Sequence, residues 1–549
     1  MNGAQLFAKC LVQQEVEYIF AIPGAKIDAL FDALIDTPIK MILCHHEQNA
    51  AFMAASYGRL TGKPGVVLVT SGPGVSNLIT GLLTATTEGD PIVAIGGSVP
   101  RSMKLKESHQ SVDNVRLTEV ATKKSSEILM VENIPEVLEN AFRTAISPRS
   151  GAVFISVPQD ILIEKTDLKP FGKVPSIQVG RAPDCLIEQA AKWLGSAKNP
   201  VFLFGLEASR PQNTKAINSL LSKTHIAAVN TYQGAGVISK ELLDCFVGRV
   251  GLFKNQPGDQ LLEDADLVVT VGFDPVEYDP EIWGVKSTLK KLIHIDYHPA
   301  NIHATYVPSL EVIGDIAKNL DQISMHLTDR AELINQKEVA PLQEKLMEIQ
   351  KKGEKIEGVK VHPLRFISDL HQAIDEKTIV ISDVGTHYMW LARYFYSFRP
   401  HQLLFSNGQQ TLGVSLPWAI AAKLACPAQK VISISGDGGF CFSAMELETA
   451  VREKIPLVHC IWVDQSYDMV KQQQLMKYHR ETVVEFGKID FVKFAETFGA
   501  YGFRVNNSED LLPVLQQAFD IDGPVLIEIP IDYSENSELF KAIGSNFGH

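Results

Sequence analysis

Short apolar segments alternate with longer helical patterns along this chain, and this alternation limits the folds that the chain can adopt. Residues 65–69 and 152–157 have the composition of buried strands, whereas residues 47–60 have the apolar spacing of a helix. Strands that are apolar on both faces and separated by helices are typical of parallel sheets covered on both sides. Because the pattern occurs three times, the sequence predicts an α/β protein with three doubly wound parallel-sheet domains.

The length of the chain and two linker-like segments support this division. The 549 residues exceed what one core usually holds, because domains contain roughly 100–200 residues. Residues 167–184 contain several prolines and residues 329–361 are rich in charged side chains, as linkers often are. The predicted domains therefore span residues 1–166, 184–328 and 362–535, and a short helix is expected near residues 342–349 of the second linker.

The overall charge and composition argue against several classes of function. The net charge is -13, whereas proteins that bind nucleic acids or membrane surfaces usually display a basic stripe. No segment approaches the ~18 apolar residues of a membrane span, and the N-terminal residues lack the pattern of a signal peptide. The seven cysteines are scattered without a CxxC motif, so we expect a cytoplasmic protein without a disulfide or zinc framework.

Two short polar turns follow predicted strands in the C-terminal third of the chain. Residues 436–439 read Gly-Asp-Gly-Gly, and a second turn, Asp464-Gln465-Ser466, begins 27 residues after Asp437. Glycines let backbone N–H groups approach a phosphate closely, while Asp437, Asp464 and a carbonyl near Ser466 would suit a hard cation such as Mg²⁺. Taken alone, a Gly-Asp-Gly tripeptide is more often a simple turn, so this pattern leaves both interpretations open.

A second candidate site lies at the start of the predicted helix at residues 47–60. Glu47 would lie in or just before its first turn, where the helix dipole stabilises a carboxylate. The sequence from His46 resembles the HExxH motif of zinc proteases, but Ala50 stands at the second histidine position, so that metal site is excluded. Taken alone, Glu47 fits a helix-start carboxylate better than a catalytic acid.

The loop at residues 70–74, Thr-Ser-Gly-Pro-Gly, follows the predicted strand at residues 65–69. Such a strand-to-helix loop can bring its backbone close to a ligand. It does not match GxGxxG, because Asn77 occupies the last position, and it lacks GxSxG. The loop therefore supports neither a simple dinucleotide fingerprint nor a hydrolase nucleophile elbow.

Taken together, these motifs resemble the thiamine-diphosphate (ThDP) enzymes, and among them the acetohydroxyacid and acetolactate synthases. The resemblance covers nearly the whole chain and is carried, in chain order, by residues 20–28, 46–51, 70–74, 88–90, 109–111, 407–413 and 436–438. It implies an aminopyrimidine-binding domain at residues 1–166, a Rossmann-like middle domain at residues 184–328, and a domain at residues 362–535 that binds the diphosphate and Mg²⁺.

The resemblance also implies a role for each matching residue. Glu47 would hydrogen-bond the aminopyrimidine and favour its imino form, Gln410 would lie in the segment that holds the other pyrimidine edge, and Leu412 would keep the cofactor bent. The metal ligands would be Asp437, Asp464 and Ser466, although many relatives have Asn at the position of Asp464. The remaining cofactor-binding residues that the resemblance implies are Pro23, Gly24, Thr70, Gly385, Thr386, His387, Gly436, Gly438, Gly439, Tyr467, Met469 and Val470.

The reaction implied by the resemblance decarboxylates pyruvate on ThDP and ligates the resulting hydroxyethyl carbanion to a second pyruvate, giving 2-acetolactate. Gln473 stands where the FAD-requiring anabolic synthases have Trp, so the resemblance favours the catabolic branch that leads to acetoin, and FAD is not expected. A solvated helix glutamine is the alternative for Gln473. Ala21 and Gln472 depart from the catabolic pattern. The residues implied to orient the acceptor are His109, Gln110, Gln473 and Lys26, of which Lys26 fits a solvated surface lysine equally well.

Three other functions are compatible with the same motifs. A 2-ketoacid decarboxylase would protonate the carbanion, a pyruvate oxidase would oxidise it with a flavin, and a catalytically silent subunit would retain only the fold. The presence of Glu47, Asp437 and Asp464 argues against the silent subunit. The family further implies a homodimer with shared active sites, in which Glu47 of one subunit serves the diphosphate held by Asp437 of another, and pairing of dimers into a homotetramer.

Overall fold

The computed structural model describes residues 1–104, 106–172, 174–175, 177–283, 290–329 and 336–540. Three six-stranded parallel sheets follow one another along this part of the chain, with helices between their strands. Successive residues of one strand belong to different buried clusters: Val66 and Leu68 lie in one cluster, and Val67 and Val69 in another. Because successive side chains of a strand point to opposite faces, helices cover the sheet on both sides. The predicted α/β fold with three parallel sheets is confirmed.

The first sheet has the strand order β2-β1-β3-β4-β6-β5. Its strands are β1 (Tyr18–Ala21), β2 (Lys40–Leu43), β3 (Gly65–Val69), β4 (Ile92–Ser98), β5 (Lys124–Glu127) and β6 (Ala152–Pro158). Its helices are α1 (Gly3–Gln13), α2 (Asp28–Ile35), α3 (Glu47–Thr61), α4 (Pro73–Ser76), α5 (Ile79–Thr87), α6 (Asn114–Thr118), α7 (Ile134–Ile146) and α8 (Gln159–Ile163). The helix predicted at residues 47–60 is therefore α3, which begins at Glu47 and is one residue longer than expected.

The second sheet has the order β12-β11-β10-β7-β8-β9, so the strand order reverses between β7 and β10. Its strands are β7 (Pro200–Phe204), β8 (Ala227–Thr231), β9 (Phe246–Val250), β10 (Leu267–Val271), β11 (Lys291–Asp296) and β12 (Leu310–Ile313). Its helices are α9 (Asp184–Ser196), α10 (Pro211–Thr224), α11 (Pro257–Asp264), α12 (Pro280–Trp283) and α13 (Ile316–Met325). This is the strand order of a Rossmann fold, as expected for the middle unit.

The third sheet has the order β14-β13-β15-β16-β18-β17. Its strands are β13 (Ile379–Ser382), β14 (Leu403–Leu404), β15 (Val431–Gly436), β16 (Val458–Val463), β17 (Tyr501–Arg504) and β18 (Val525–Pro530). Helix α14 (Gln336–Gly353) precedes it, and its other helices are α15 (Pro363–Ala373), α16 (Thr386–Tyr394), α17 (Ser415–Ala425), α18 (Asp437–Phe440), α19 (Glu446–Arg452), α20 (Asp468–Tyr478), α21 (Phe491–Phe498), α22 (Leu511–Phe519) and α23 (Asn536–Phe540).

The segment between the second and third sheets is more structured than its charge suggests. The short helix expected near residues 342–349 is part of the 18-residue helix α14, whose Val339 and Leu342 are buried in the core of the middle unit. The domain limits at residues 166, 184, 328, 362 and 535 stay predictions. None of the helices in the described part of the chain has the length and apolar character needed to cross a membrane.

The first and third units share one continuous buried core, centred on α3 and α17. The Ser56 hydroxyl donates to the Trp418 carbonyl at 2.9 Å, and the Arg59 guanidinium lies 4.4 Å from the centre of the Trp418 ring. Helix α3 can pack closely because its inward residues are small, with Ala50, Ala51, Ala54 and Ala55 fully buried. The helix that begins with Glu47 is therefore fixed against the third unit of its own chain.

Candidate active site

Two acidic residues follow neighbouring strands at one edge of the third sheet. Strands β15 and β16 pair in parallel, so Asp437, directly after β15, lies near Asp464, directly after β16. The Asp437 carboxylate accepts hydrogen bonds from the backbone N–H groups of Gln465, at 2.7 Å, and Gly438, at 3.0 Å. Ser466 donates its hydroxyl to Asp464. The sequence prediction that Asp437 and the turn at Asp464 form one group therefore agrees with their positions.

The electrostatics of this acidic pair fit a cation site. Burial raises the pKa of Asp437 to about 6. Burial also raises the pKa of Asp464 to about 7, and the nearby charge of Asp437 adds to that increase. Both shifts report the cost of holding a carboxylate away from water, and the shift of Asp464 also reports the repulsion from Asp437. A divalent cation with oxygen ligands would remove that cost, so the donor set of Asp437, Asp464 and Ser466 fits Mg²⁺.

A cavity of about 240 Å³ lies beside these acids. The residues that line it and that the sequence analysis assigned to the cofactor, metal or acceptor are Gly385, Thr386, His387, Gln410, Leu412, Gly436, Gly438, Gly439, Asp464, Ser466, Tyr467, Met469, Val470 and Gln473. They come from four separate parts of the third unit, yet they surround one space. The size of the cavity and its mixed polar and apolar lining suit part of a small-molecule ligand.

The glycines around the cavity leave room for close approach of the backbone. A Cβ on Gly438 would lie 2.6 Å from the Tyr467 ring, and a Cβ on Gly385 would lie 2.8 Å from the His387 ring. Gly385 also has a φ of 152°, which side chains rarely allow. Gly385 directly precedes α16, whose first backbone N–H groups have no partner within the helix and are available to a phosphate. The cradle therefore fits a diphosphate.

His387 adds an unsatisfied polar atom to the cavity wall. The side chain is buried, and burial lowers its pKa to about 3, so the ring is neutral. Its Nε2 atom has no hydrogen-bond partner among the described residues. A buried nitrogen of this kind is costly unless it meets a ligand or water, so its position supports the assignment of a polar ligand to this cavity.

The sequence analysis missed Asp468, which also lines the cavity. Its carboxylate accepts hydrogen bonds from Thr386 at 2.7 Å, from Asn536 at 2.6 Å and from Gln472 at 3.0 Å. Asp468 therefore fixes the Thr386 hydroxyl, and it gives the polar side chain of Gln472 a partner. The sequence offered one signal for Asp468, because it is an acidic residue in the first turn of the helix that follows the turn at residues 464–466.

The N-terminal candidates form a second group at the edge of the first sheet. Strands β2, β1 and β3 are neighbours, and their carboxyl ends place Glu47, Gly24 and Thr70 at the same edge. A Cβ on Gly24 would lie 2.5 Å from the Thr70 Cβ, so Gly24 is required for this contact. The Thr70 hydroxyl is buried without a partner among the described residues. Pro23 precedes Gly24 and is exposed.

Glu47 is the first residue of α3 and is only 9% exposed. Asn77 donates its side-chain amide to the Glu47 Oε2 atom at 2.9 Å, and a Cβ on Gly74 would lie 3.7 Å from the Oε1 atom. Asn77 is the residue that breaks the GxGxxG pattern, and its contact with Glu47 gives that departure a physical reason. The sequence analysis did not assign Asn77 a role, because its distance from Glu47 along the chain gives no signal.

Three residues of the first unit were predicted to orient the acceptor ketoacid, and only one of them is placed beside the loop at residues 70–74. Gln110 has a φ of 60° and accepts from the Ser71 hydroxyl at 3.5 Å, so it lies beside the loop at residues 70–74. His109, its neighbour, is exposed. Lys26 is half-buried, and its backbone carbonyl lies 2.9 Å from where a Cβ on Gly97 would be. Gln473 belongs to the other group, since it lines the cavity of the third unit.

The candidate site residues of one chain thus fall into two groups. Every described residue that lines the cavity belongs to the third unit, and Glu47, Gln110 and Thr70 are not among them. Each group lies at the carboxyl edge of a parallel sheet, which is where such sheets bind ligands. One chain therefore presents the candidate phosphate and metal ligands in the third unit and the buried carboxylate of Glu47 in the first unit.

The middle unit has a crevice of about 240 Å³ where its strand order reverses. Its lining includes four acidic side chains, those of Glu207, Asp274, Glu277 and Asp296. Burial raises the pKa of Glu277 to about 8 and that of Asp296 to about 7. Arg149 is the only lysine or arginine among the described lining residues, and it is ion-paired with Asp274. The described lining therefore offers the pyrophosphate of a dinucleotide no unpaired lysine or arginine.

Comparison of the chain with known protein families gives three domain matches, and these agree with the positions of the two groups of site residues. Family descriptions of the thiamine pyrophosphate (TPP) enzymes match residues 1–117 as "N-terminal TPP binding domain", residues 187–323 as "central domain" and residues 383–529 as "C-terminal TPP binding domain". The two groups of site residues described above thus lie in the two domains whose descriptions name TPP binding. The cavity lies in the third unit, and Glu47 lies in the first unit.

Full-length relatives narrow the family. A Bacillus subtilis (strain 168) protein named "Acetolactate synthase" is 50% identical, and the match covers 98% of this chain and 94% of the relative. "Acetolactate synthase, catabolic" of Raoultella terrigena is 45% identical over 97% of this chain and 96% of the relative. "Acetolactate synthase isozyme 2 large subunit" of Escherichia coli (strain K12) is 32% identical, and the match covers 98% of this chain and 96% of the relative. The chain therefore belongs to the thiamine pyrophosphate enzymes, in the family of the acetolactate synthases.

Proposed function

We propose that this protein is a catabolic acetolactate synthase, which combines two molecules of pyruvate into 2-acetolactate and releases CO₂. The observation that carries the proposal is the similarity over nearly the full length to "Acetolactate synthase" and "Acetolactate synthase, catabolic". The site adds support, because a phosphate cradle, an acidic pair suited to Mg²⁺ and a buried glutamate are all present in the chain.

The residues around the cavity would divide the work of holding ThDP and Mg²⁺. Bound ThDP supplies an electron sink for the decarboxylation of a 2-ketoacid. Asp437, Asp464 and Ser466 would hold Mg²⁺ against the diphosphate, while the N–H groups at the starts of α16 and α18 would bind its oxygens. Leu412 would support the cofactor from its apolar side, and Gln410 would bind the pyrimidine edge.

Glu47 would hold and pass a proton at the aminopyrimidine. The carboxylate is buried, and Asn77 fixes one of its oxygens, which leaves the other free to face a ligand. A positioned carboxylate of this kind exchanges protons efficiently because its orientation is set before the ligand arrives. Thr70 and Gly24 would form the adjoining surface, since both lie at the same sheet edge as Glu47.

We further propose that two subunits share each active site. Glu47 belongs to the first unit and does not line the cavity of its own chain among the described residues. Helix α3 is also fixed against α17 of the same chain, which leaves little freedom for Glu47 to move toward that cavity. A complete site is obtained when the first unit of one subunit meets the third unit of another, which requires at least a homodimer.

Subunit mixing tests the shared site. Chains carrying Glu47→Gln and chains carrying Asp437→Ala should each be nearly inactive, but together they should recover activity after subunit exchange. Random pairing makes half of the dimers mixed, and each mixed dimer contains one intact site. Native mass spectrometry would verify the exchange and would show whether dimers pair into the expected homotetramer. Verified exchange without recovered activity would rule out the shared site.

We propose that the enzyme works without FAD. Among the described lining residues of the nucleotide-binding position in the middle unit, Arg149 is the only lysine or arginine, and Asp274 already pairs with it, so a pyrophosphate would find no unpaired lysine or arginine there. The purified protein should therefore show no flavin absorption, and addition of FAD should not change its activity. A stoichiometric flavin in the purified protein would instead favour the oxidase alternative.

The acceptor should be a second pyruvate. Gln473 lines the cavity and is half-buried, so a polar amide faces the space where an acceptor would enter. A hydrophobic surface at this position would reward the extra methylene of 2-ketobutyrate by roughly 1–3 kcal/mol, and the amide does not supply it. With equal pyruvate and 2-ketobutyrate, 2-acetolactate should therefore exceed 2-aceto-2-hydroxybutyrate.

The decisive experiment identifies the product. Purified protein with pyruvate, Mg²⁺ and ThDP should release CO₂ and form 2-acetolactate, measured by NMR of the reaction mixture. Acetaldehyde as the main product would indicate a decarboxylase, and an absence of CO₂ release would indicate a silent subunit.

We also propose a cytoplasmic location, because all seven cysteines are free and a reducing compartment suits them. Cell fractionation would test this location.

A further inference from the structure

The loop between β14 and α17 shapes one wall of the cofactor cavity. It contributes Gln410 and Leu412 to the cavity lining. The loop contains no helix or strand, and Gln410 has a φ of 48°, in the left-handed region that non-glycine residues rarely adopt. Such a backbone persists only where its surroundings hold it in place. The source of that support determines whether Gln410 and Leu412 face the cavity.

The support comes from the first unit. Glu88, the residue that caps the C-terminus of α5, is 1% exposed. Its Oε1 atom accepts the backbone N–H groups of Asn407, at 2.9 Å, and Gly408, at 2.7 Å. Gly408 fits closely against α5, because a Cβ there would lie 2.3 Å from the Thr87 Cγ2 atom. The start of the loop is therefore fixed to the first unit by a carboxylate.

The second oxygen of Glu88 connects the loop to the middle unit. Its Oε2 atom accepts from the Gln233 side chain at 2.9 Å and lies 3.6 Å from an Arg59 nitrogen. The oxygen of the same Gln233 amide accepts from the Asn407 side chain at 3.2 Å. The Asn407 Oδ1 atom in turn accepts a hydrogen bond from the hydroxyl of Tyr388, in α16, at 3.0 Å. Side chains of all three units thus meet at Asn407.

The far end of the loop is held independently. Asp383 accepts the backbone N–H groups of Gly413, at 2.9 Å, and Ser415, at 3.0 Å. Between the two ends, the Thr411 hydroxyl contacts the Thr84 hydroxyl at 2.8 Å. Gln410 and Leu412 lie between these supports, so a change at the Glu88 end should alter the half of the loop nearest to it.

We propose that Glu88 is a positioning residue, which holds residues 407–412 in the shape that presents Gln410 and Leu412 to the cofactor. The part of this inference that concerns ThDP rests on the proposed function. Hydrogen bonds from backbone N–H groups to a buried carboxylate are about twice as strong as neutral ones, and their loss leaves two buried donors unsatisfied. Arg59 and Gln233 keep the carboxylate in place without contacting the cavity.

Hydrogen exchange of the ligand-free protein tests the clamp directly. In Glu88→Ala, amide exchange across residues 405–413 should become at least about tenfold faster, since a factor of ten corresponds to about 1.4 kcal/mol. The matched control is Ser56→Ala, which removes another buried hydrogen bond between the first and third units, the one to Trp418. That variant should leave the exchange of residues 405–413 unchanged. Equal exchange in Glu88→Ala and wild type would overturn the proposal.

Cofactor affinity tests the consequence of the clamp. Glu88→Ala should bind ThDP at least about tenfold more weakly in Mg²⁺-containing buffer, measured by calorimetry, whereas Ser56→Ala should bind it like wild type. Glu88→Gln should give affinity and loop protection between those of wild type and Glu88→Ala. Its amide oxygen can still accept both backbone N–H groups, but its NH2 group would face the donating groups of Gln233 and Arg59. If Glu88→Ala lost thermal stability but kept its ThDP affinity, Glu88 would be a purely structural residue.

A milder variant keeps the test valid if Glu88→Ala does not fold. Gln233→Ala leaves Glu88 in place but removes the two hydrogen bonds that the Gln233 side chain makes, one to the second Glu88 oxygen and one with Asn407. It should accelerate exchange in the same segment by a smaller factor, and unchanged exchange would count against the clamp. If the wild-type protein does not bind ThDP, the proposed function fails, while the exchange measurements still decide the role of Glu88.

Discussion

Replacing Glu47 by Gln is expected to lower kcat by roughly 10²–10⁴-fold, the usual contribution of a positioned acid or base. An amide has nearly the same shape as the carboxylate and can still accept the hydrogen bond from Asn77, so the fold and ThDP affinity should change little. It cannot take up and release a proton. Steady-state turnover of pyruvate and the exchange rate of the C2 proton of bound ThDP, followed by NMR, should fall together.

The control for Glu47 is Asn77→Ala, which leaves the carboxylate but removes the side chain that orients it. This variant should lose less activity than Glu47→Gln, because the proton-transfer group remains. Wild-type turnover and C2 exchange in Glu47→Gln would show that Glu47 only begins helix α3. Such a result would leave the cavity of the third unit and its acidic pair unaffected.

Replacing Asp437 by Ala should weaken Mg²⁺-dependent binding of ThDP by more than roughly 100-fold, since changes to residues that merely support metal ligands already cost 10–100-fold. The diphosphate would then face Asp464 with less neutralisation of its charge. Asp437 also accepts the backbone N–H of Gln465, so its loss should loosen the turn that carries the other ligands. Calorimetric titration of ThDP in saturating Mg²⁺ measures the change.

Asp437→Asn separates the charge from the hydrogen bond. The amide oxygen can still accept the Gln465 N–H, so the melting temperature should stay closer to that of wild type than in Asp437→Ala. The loss of the anionic ligand should nevertheless weaken Mg²⁺-dependent ThDP binding strongly. If Asp437→Asn bound ThDP and Mg²⁺ as tightly as wild type, Asp437 would support the turn without being a metal ligand.

The sequence predicted the strands and the residues that follow them, because both depend on local patterns. The apolar run at β3 is buried at every position, and its limits agree with the predicted strand at residues 65–69. Asp437 and Asp464 could be paired before any coordinates were known, since the ends of neighbouring parallel strands meet at one edge. The resemblance to a known family then implied roles for Gln410 and Leu412, which no local pattern indicates and which stay predictions.

Contacts between distant parts of the chain could not be predicted in the same way. Asn77 meets Glu47, Asp468 meets Thr386, and Glu88 meets Asn407, yet none of these pairs has a characteristic spacing. Each contact depends on how whole units pack, which is decided by side-chain volumes along helices such as α3. The sequence therefore indicated which residues could do chemistry, but it did not indicate which residues hold them in place.

The raised pKa values of Asp437 and Asp464 link cofactor supply to the lifetime of the protein. Without a cation, the folded chain keeps two buried carboxyl groups whose charged forms are disfavoured mainly by burial, and this cost lowers the free energy of unfolding at neutral pH. A ligand that binds only the folded state adds about 2.7 kcal/mol when its concentration is 100 times its Kd. Binding of the proposed Mg²⁺ and ThDP should therefore slow unfolding and degradation of this protein, because both ligands would add to the stability of the folded state alone.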